Sequence, residues 1–333
     1  MTISIVPLTA ADRQRLLAVD NAAFFFDPNA HPVDIVTNHF DWSRTFGASR
    51  AGSDELELDR GAVFTAPSLE DAASRVTTRF VQADSDDAAR VVHDLHLLCA
   101  EDALGSVTRP ERMARPLFVD LPLTRQGREP WQVLIAHVDG QPAGYAVFSR
   151  QSKWTDFRAK GTVAVCEMAA IDPMTYLTLA RRLVDFDLTA SITINGRAAD
   201  DPLMWWAGGP RGLGVKTFDS LWLRLIDVGA ALTERGYSSP CDIVLDVVDP
   251  TCPWNQRAWR LTVDDAGVGT CQPTSDEADV RLPVQALGAA YLGSRSIATQ
   301  ADQGLVTELT PGSVWLLSRA MSCDREPAGA IEF

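Results

Sequence analysis

The sequence contains no apolar run that approaches the ~20 residues of a membrane-spanning helix. Its first residues, Met1-Thr-Ile-Ser-Ile5, also lack the basic segment followed by an apolar stretch that marks a secretory signal. From these two absences we expect a soluble, cytoplasmic protein that has no membrane partner.

Paired cysteines are missing as well. No Cys-x-x-Cys or mixed Cys/His ligand spacing occurs, so the sequence predicts no structural metal site. A chain of this size does not depend on a disulfide framework, and reduced thiols are the simpler expectation. The six cysteines stand apart along the chain: Cys99, Cys166, Cys241, Cys252, Cys271 and Cys323.

Basic residues are scarce relative to acidic ones. The chain has 30 Lys and Arg against 44 Asp and Glu, which gives a net charge of −14 and a pI near 4.8. An electrostatic field of this sign repels nucleic-acid phosphates and anionic lipids, so we expect neither as a partner. It favours cationic small molecules, although many proteins carry such a charge only for solubility.

Common catalytic motifs are also absent: there is no Gly-x-Ser-x-Gly elbow, no P-loop and no His-Glu-x-x-His. The glycine-rich residues 208–214 resemble a phosphate loop, but Pro210 removes an amide donor and no helix pattern follows. We interpret them as a turn or linker. His93 and His96 can share a helix face. Without a third metal ligand in the sequence, a solvated or capping role is expected for both.

The length of 333 residues predicts two or three domains, because one core usually holds about 100–150 residues. Up to about residue 217, strand and helix patterns alternate, which is typical of an α/β domain with a mixed sheet. Its clearest elements are a hairpin that turns at Asp139-Gly140 and a helix that begins after Asp172-Pro173. From residue 218 strands precede helices, as in an α+β domain, and residues 221–228 are predicted to form its first strand.

Several segments resemble the enhanced intracellular survival (Eis) family of actinobacterial acyltransferases, which are GNAT-type N-acetyltransferases. The clearest is Asp219-Ser-Leu-Trp-Leu-Arg-Leu, which is similar to the entrance of that family's third domain. Similar landmarks cover nearly the whole chain: Trp42-Ser-Arg-Thr-Phe-Gly-Ala48, Glu55-Leu-Glu-Leu-Asp-Arg60, Ala290-Tyr-Leu-Gly293 and Ala330-Ile-Glu-Phe333.

The resemblance implies the fold class α/β plus α+β, in which GNAT-like mixed sheets are followed by a C-terminal sterol-carrier-protein-like domain. It divides the chain into a truncated N-terminal GNAT-like unit at 1–66, a second GNAT-like domain at 75–217, and a sterol-carrier-like domain with a C-terminal tail at 218–333. The family also assembles into oligomers, and a shortened first unit would expose apolar faces, so we expect a homo-oligomer.

One departure from the family concerns the acyl donor. Between Gly47 and Glu55 this chain has only residues 48–54, where the family carries an Arg-Arg-x-Gly helix start for the pyrophosphate of acetyl-CoA and a general-acid tyrosine. Helix N-termini bind phosphate through free N–H groups. The chain's one Arg-Arg pair, Arg181-Arg182, falls inside a predicted helix. We therefore expect no cofactor, with acetyl-CoA as donor only if the family's function survives.

The candidate site residues follow from the resemblance. The α-carboxylate of Phe333 corresponds to the family's general base, and Glu332 to an acidic pocket residue; the alternative for both is a solvated chain end. The aromatic and polar side chains of the N-terminal segment correspond to the substrate pocket, with core packing as their alternative. These pocket candidates are Phe24, Phe26, Asp27, His39 and Trp42.

Three functions remain open at this point. The first is a small-molecule enzyme on the Eis/GNAT scaffold that acts on an amine, with impaired or absent acetyl-CoA binding. The second is a cofactor-independent acid–base enzyme that condenses or cyclises its substrate, for example in Pictet–Spengler chemistry, through the C-terminal carboxylate. The third is a non-catalytic, ligand-binding relic.

Overall fold

A computed structural model describes residues 50–83, 85–101, 103–106, 108–109, 122 and 125–327. Within these ranges the chain forms two bodies, each built on its own β-sheet. No helix in the described ranges is both long enough and apolar enough to cross a membrane.

The first body is a seven-stranded mixed sheet. Its strands are β1 (Arg50–Asp59), β2 (Thr77–Gln82), β3 (Gln132–Val138), β4 (Gln141–Gln151), β7 (Gly161–Ala170), β8 (Thr189–Arg197) and β9 (Gly214–Trp222). Their spatial order is β2-β3-β4-β7-β8-β1-β9. Only β7 and β8 pair in parallel, and the other neighbours are antiparallel. A small hairpin, β5 (Trp154–Thr155) and β6 (Arg158–Ala159), stands between β4 and β7.

Helices cover both faces of this sheet. They are α1 (Glu70–Ala73), α2 (Asp86–Glu101), α3 (Pro173–Val184) and α4 (Pro202–Trp206). Successive strand residues point to opposite faces. Val133 and Ile135 therefore share a core with α2, whereas Leu134 packs with α3 residues such as Leu177. Full burial of a side chain such as Leu177 contributes about 1.5–3 kcal/mol.

The predicted helix after Asp172-Pro173 is confirmed. Asp172 is the N-cap of α3 and accepts a hydrogen bond from the Thr175 amide at 2.7 Å, while Pro173 occupies the first helical position. The predicted hairpin turn is confirmed too. Asp139 and Gly140 both have positive φ, 50° and 79°, as a two-residue turn of this type requires.

Strand β1 lies between β8 and β9 and pairs with both. Residues 50–59 therefore belong to the same sheet as strands between residues 77 and 222, and not to the separate unit at 1–66 that the sequence predicts. Residues 67–74, which that division leaves between units, form a 3₁₀ turn (Pro67–Leu69) and α1. The Arg181 guanidinium of α3 binds both carboxylate oxygens of Glu70, so this segment is attached to the sheet's helical layer.

The expected boundary between residues 217 and 218 falls inside β9, which runs to Trp222. The predicted strand at 221–228 is wrong because the backbone passes from the first sheet to the second body within these residues. The backbone of Trp222 still pairs with Arg50 in the first sheet, whereas Leu225 is buried in the second body. The Asp227 side chain then caps α5 (Val228–Glu234) by accepting from the Ala230 amide.

The second body has the predicted α+β order. Its strands are β10 (Cys241–Val248), β11 (Ala258–Val263), β12 (Gly269–Pro273), β13 (Val280–Pro283) and β14 (Thr307–Glu308), in the spatial order β12-β11-β10-β13-β14. Helices α5, α6 (Val284–Ala290), α7 (Ile297–Asp302) and α8 (Ser313–Met321) complete it. Leu245, Leu261 and Leu317 lie fully buried in its core.

Candidate functional site

The first sheet opens between β7 and β8. These strands pair only from Gly161 to Val165 on β7 and from Thr189 to Ile194 on β8. Directly after Val165, β7 carries a β-bulge, because Phe148 faces Val165 whereas Val147 faces Glu167. A bulge bends a strand and interrupts its ladder. Residues 166–170 of β7 therefore remain paired with β4 but part from β8.

On the α2 side of this opening, Glu167 is the centre of a buried polar cluster. The Arg109 guanidinium donates to both of its carboxylate oxygens at 2.6 Å. The Tyr145 hydroxyl donates to Glu167 Oε1, and His96 Nδ1 lies 3.4 Å from the same oxygen. The side chains of Arg109 and Glu167 are only 4% and 12% exposed.

This cluster is poorly suited to acid–base chemistry. Burial opposes ionisation of Glu167, but hydrogen bonds from His96 and Arg109, with the charge of Arg109, outweigh it and lower the pKa to about 2. Burial and the neighbouring Glu167 raise the pKa of Tyr145 well above its usual value and that of the Cys99 thiol to about 11. At neutral pH Glu167 is thus a fully engaged carboxylate, and both possible proton donors stay protonated.

On the other side, the side chain of Arg197 fills the opening. Its Nη1 donates to the Met168 carbonyl of β7 at 2.9 Å and to the Tyr176 hydroxyl oxygen at 2.9 Å. The Tyr176 hydroxyl in turn donates to Asp201 Oδ2 at 2.7 Å, and Asp201 caps α4 at the Leu203 amide. Both Arg197 and Asp201 are buried. We call Arg197, Tyr176 and Asp201 the plug.

The N-terminus of α3, the helix that follows β7, is also unavailable to a phosphate. The two carboxylate oxygens of Asp172 accept from the amide and from the hydroxyl of Thr175 at 2.7 and 2.9 Å, and Pro173 has no amide hydrogen to offer. A helix start that holds phosphate needs free N–H groups. This one presents a carboxylate, which repels an anion.

The last described residues of the chain, Glu326 and Pro327, lie against the first body near Asp200 and Gly105. The Glu326 amide donates to Asp200 Oδ2 at 3.0 Å, beside the plug residue Asp201. Pro327 is buried, and a methyl group on Gly105 would lie 3.0 Å from its Cβ. At Glu326 and Pro327 the chain therefore passes from the second body to the first.

Two family models match consecutive parts of the chain. One, described as "Acetyltransferase (GNAT) domain", matches residues 105–225, and the other, "Sterol carrier protein domain", matches residues 228–328. The N-acetyltransferase Eis of Mycobacterium bovis BCG is 28% identical over 69% of this chain and 54% of its own length. The chain belongs to the Eis-like GNAT family.

Another relative is an "Uncharacterized N-acetyltransferase" of Streptomyces avermitilis, 39% identical over 66% of this chain and 53% of the relative. The chain thus spans about half the length of the curated relatives it matches. The crystal structure of Eis1 from Mycobacterium abscessus has a TM-score of 0.69 at 23% identity, covering 86% of this chain and 70% of that one. This likeness extends the shared fold to most of the described residues.

The predicted site of the Eis-like chain lies outside the described residues. This applies to the pocket candidates Phe24, Phe26, Asp27, His39 and Trp42, and to Glu332 and Phe333 of the tail. Their roles stay predictions.

The residues that the structure does bring together were missed. Glu167 had one visible signal, since it is the only charged residue in the ten of β7. Arg109 had none, because 58 residues separate the pair. The solvated role expected for His96 is wrong: packing of α2 against the sheet leaves it 3% exposed. Within the described ranges, no group of three or more His, Cys, Asp or Glu side chains could hold a metal.

Proposed function

We propose that this Eis-like protein is a small-molecule enzyme that acts on an amine, and that it binds acetyl-CoA weakly or not at all. The observation that supports weak or absent acetyl-CoA binding is that the plug fills the opening between β7 and β8. An exposed strand edge beside a helix start suits an extended ligand that ends in phosphate. Here the edge is occupied by Arg197 and the helix start by Asp172.

The other place for a donor cradle is the stretch between Gly47 and Glu55. Residues 50–59 form β1, which pairs with β9 from Arg50 to Glu57 and with β8 from Asp54 to Asp59. The amides of an extended strand point alternately to its two edges, so this stretch offers no convergent cluster of free N–H groups, as a helix start does, for a pyrophosphate. This supports weak or absent donor binding.

Two observations support an amine as substrate. The relatives from Streptomyces avermitilis and Mycobacterium bovis BCG are both named N-acetyltransferases. An N-acetyltransferase transfers an acetyl group to nitrogen. The net charge of −14 favours encounter with a cationic ligand over an anionic one. The general base in this proposal is the α-carboxylate of Phe333, delivered by a tail whose Pro327 already lies against the first body.

The donor part is tested by calorimetric titration of the full chain with acetyl-CoA. We expect no measurable heat at concentrations that saturate an active GNAT enzyme. Binding in the micromolar range would overturn this part, and acetylation of an amine with release of free CoA would do the same while leaving the amine part intact.

The amine part needs a separate measurement. A panel of primary amines is compared with the corresponding neutral alcohols by the shift in melting temperature of the protein. We expect stabilisation by some of the amines and by none of their alcohol analogues, because only the ammonium interacts with an acidic pocket. Equal shifts for both members of each pair, or no shift at all, would contradict an amine site.

A further inference from the structure

A hairpin projects from the first sheet and carries two aromatic side chains in solvent. Its strands, β5 and β6, pair with each other in a two-stranded sheet between β4 and β7. Trp154 is 58% exposed, and Phe157, in the turn of the hairpin, is fully exposed. Residues 151–161 are called the finger below.

The backbone of the finger holds its tip in an unfavourable conformation. Asp156 and Phe157 have φ of 48° and 58°, a region in which a bulky side chain is an outlier. Leu188 shows the same combination beside the finger: its φ is 61° and it is 59% exposed. The Leu188 carbonyl oxygen would lie 2.6 Å from a methyl group on Gly161. Strained residues cluster at functional sites, and the fold itself gains little from apolar side chains that stand in solvent.

The finger is basic in an acidic protein. Its exposed basic side chains are Lys153, Arg158 and Lys160. None of the three forms a salt bridge with another described residue, and Asp156 is the one acidic residue of the finger. Asp187, which precedes Leu188, is paired with Arg60 at 2.6 Å. Apolar side chains and unpaired basic side chains are therefore exposed together at this end of the sheet.

We propose that the finger is a membrane-binding element that inserts Trp154 and Phe157 into the interface of an anionic lipid bilayer. Tryptophan is enriched at the headgroup level of bilayers, and anionic headgroups attract lysine and arginine side chains close to the surface. The binding is peripheral, because the finger lies in the interface and does not span the bilayer.

The shape and the local charge of the finger favour lipid over a protein partner. A bilayer receives a protruding Phe157 without a preformed pocket, whereas a protein would have to offer an apolar hollow surrounded by acidic groups. The net charge of −14 by itself predicts no anionic lipid partner. That prediction concerns the chain as a whole. Exposed charges are screened beyond about 8 Å at physiological ionic strength, so the charge of the finger itself decides what its tip contacts.

The test is cosedimentation of the full chain with vesicles. We expect binding to vesicles of equal parts phosphatidylcholine and phosphatidylglycerol, and much weaker binding to phosphatidylcholine alone at the same total lipid. Added salt should weaken the binding, because the contact is charge-assisted. Trp154→Ser and the charge reversal Lys153→Glu/Lys160→Glu should each raise the apparent dissociation constant at least about tenfold.

Further variants separate lipid contact from folding and from overall charge. Glycine adopts positive φ without strain, so Phe157→Gly should melt at the same or a higher temperature and yet bind vesicles at least about tenfold more weakly. Trp205→Ser and Arg75→Glu/Arg79→Glu are the matched controls, since all three residues are exposed and lie outside the finger. Both controls should bind like the wild type.

Insertion is measured by quenching of tryptophan fluorescence with brominated phosphatidylcholine in the same anionic vesicles. We expect quenching in the wild type and its loss in Trp154→Phe, which still binds. No binding of the wild type to anionic vesicles, wild-type binding by the finger variants, an equal loss in the controls, or equal quenching in Trp154→Phe would each overturn the proposal. So would equally tight binding to soluble polyglutamate that the finger variants lose, because the partner would then be an acidic protein.

Discussion

Replacement of Glu167 by glutamine removes one charge from the cluster beneath α2 and keeps the side-chain volume. Arg109 then loses its counter-charge at a site where its side chain is 4% exposed. Removal of one partner of a buried ion pair typically costs about 3–5 kcal/mol, because the other charge is left without compensation. We expect the free energy of unfolding of the first body to fall by about this amount at neutral pH.

The pKa of Glu167 gives an independent figure. It is about 2 in the folded protein against an ordinary value of 4.5, and this difference corresponds to about 3 kcal/mol of stability at pH 7. Because the folded pKa is the lower one, the contribution is complete above pH 4.5 and is lost as the pH falls toward 2. At pH 3 it should have declined to about 1.5 kcal/mol. Glu167→Gln lacks this titration, so the gap between variant and wild type should narrow with acid.

The assay is urea unfolding of both proteins at pH 7 and pH 3, followed by circular dichroism. Glu70→Gln is the matched control, since Glu70 also binds an arginine, Arg181, through both oxygens but does so in solvent. Exposed pairs contribute little, so this control should unfold like the wild type. A Glu167→Gln variant within about 0.5 kcal/mol of the wild type at pH 7, or a gap of equal size at both pH values, would refute the reasoning.

Three further predictions concern other parts of the chain. Asp249 is fully buried and accepts from an arginine at 2.5 Å, so Asp249→Ala should lower the stability of the second body by about 3 kcal/mol, seen as an earlier urea transition there. Gly161→Ala should destabilise by more than about 1 kcal/mol, because its methyl group meets two carbonyl oxygens within 2.8 Å; Gly236→Ala, which meets nothing within 4 Å, should not. Asp200→Ala removes the acceptor of the Glu326 amide. Carboxypeptidase should then release the C-terminal residues of the variant faster than those of the wild type, as followed by mass spectrometry. An unchanged rate of release would contradict this anchoring.

Elements whose signals are local could be predicted from the sequence. The turn at Asp139-Gly140 and the cap at Asp172 each depend on two or three adjacent residues whose backbone preferences fix the outcome. The order of strands and helices also identified the two fold classes, because an apolar period constrains each element by itself.

Features that depend on distant segments could not be predicted. Residues 221–228 are mostly apolar, yet this composition does not show that the first part pairs with β1 and the later part enters another core. The bulge that directs Glu167 toward α2 depends on the register between β4 and β7, which no local pattern encodes. Arg109, the partner of Glu167, lies in a segment whose sequence shows no helix or strand pattern. Buried polar partners of this kind are selected by tertiary packing rather than by spacing.

The plug also sets the free energy that any ligand must overcome at the opening. Beyond Val165, β7 no longer pairs with β8, so the Met168 carbonyl has no partner on that strand. A buried carbonyl needs a hydrogen-bond donor, and the Arg197 guanidinium is that donor. A donor molecule lying along β7 would displace Arg197 and break its hydrogen bonds to the Met168 carbonyl and the Tyr176 hydroxyl. Loss of hydrogen bonds from a charged group costs about 1.5–3 kcal/mol, which weakens binding by roughly tenfold to a hundredfold. An acyl donor that binds tightly must therefore be held by other residues of the protein.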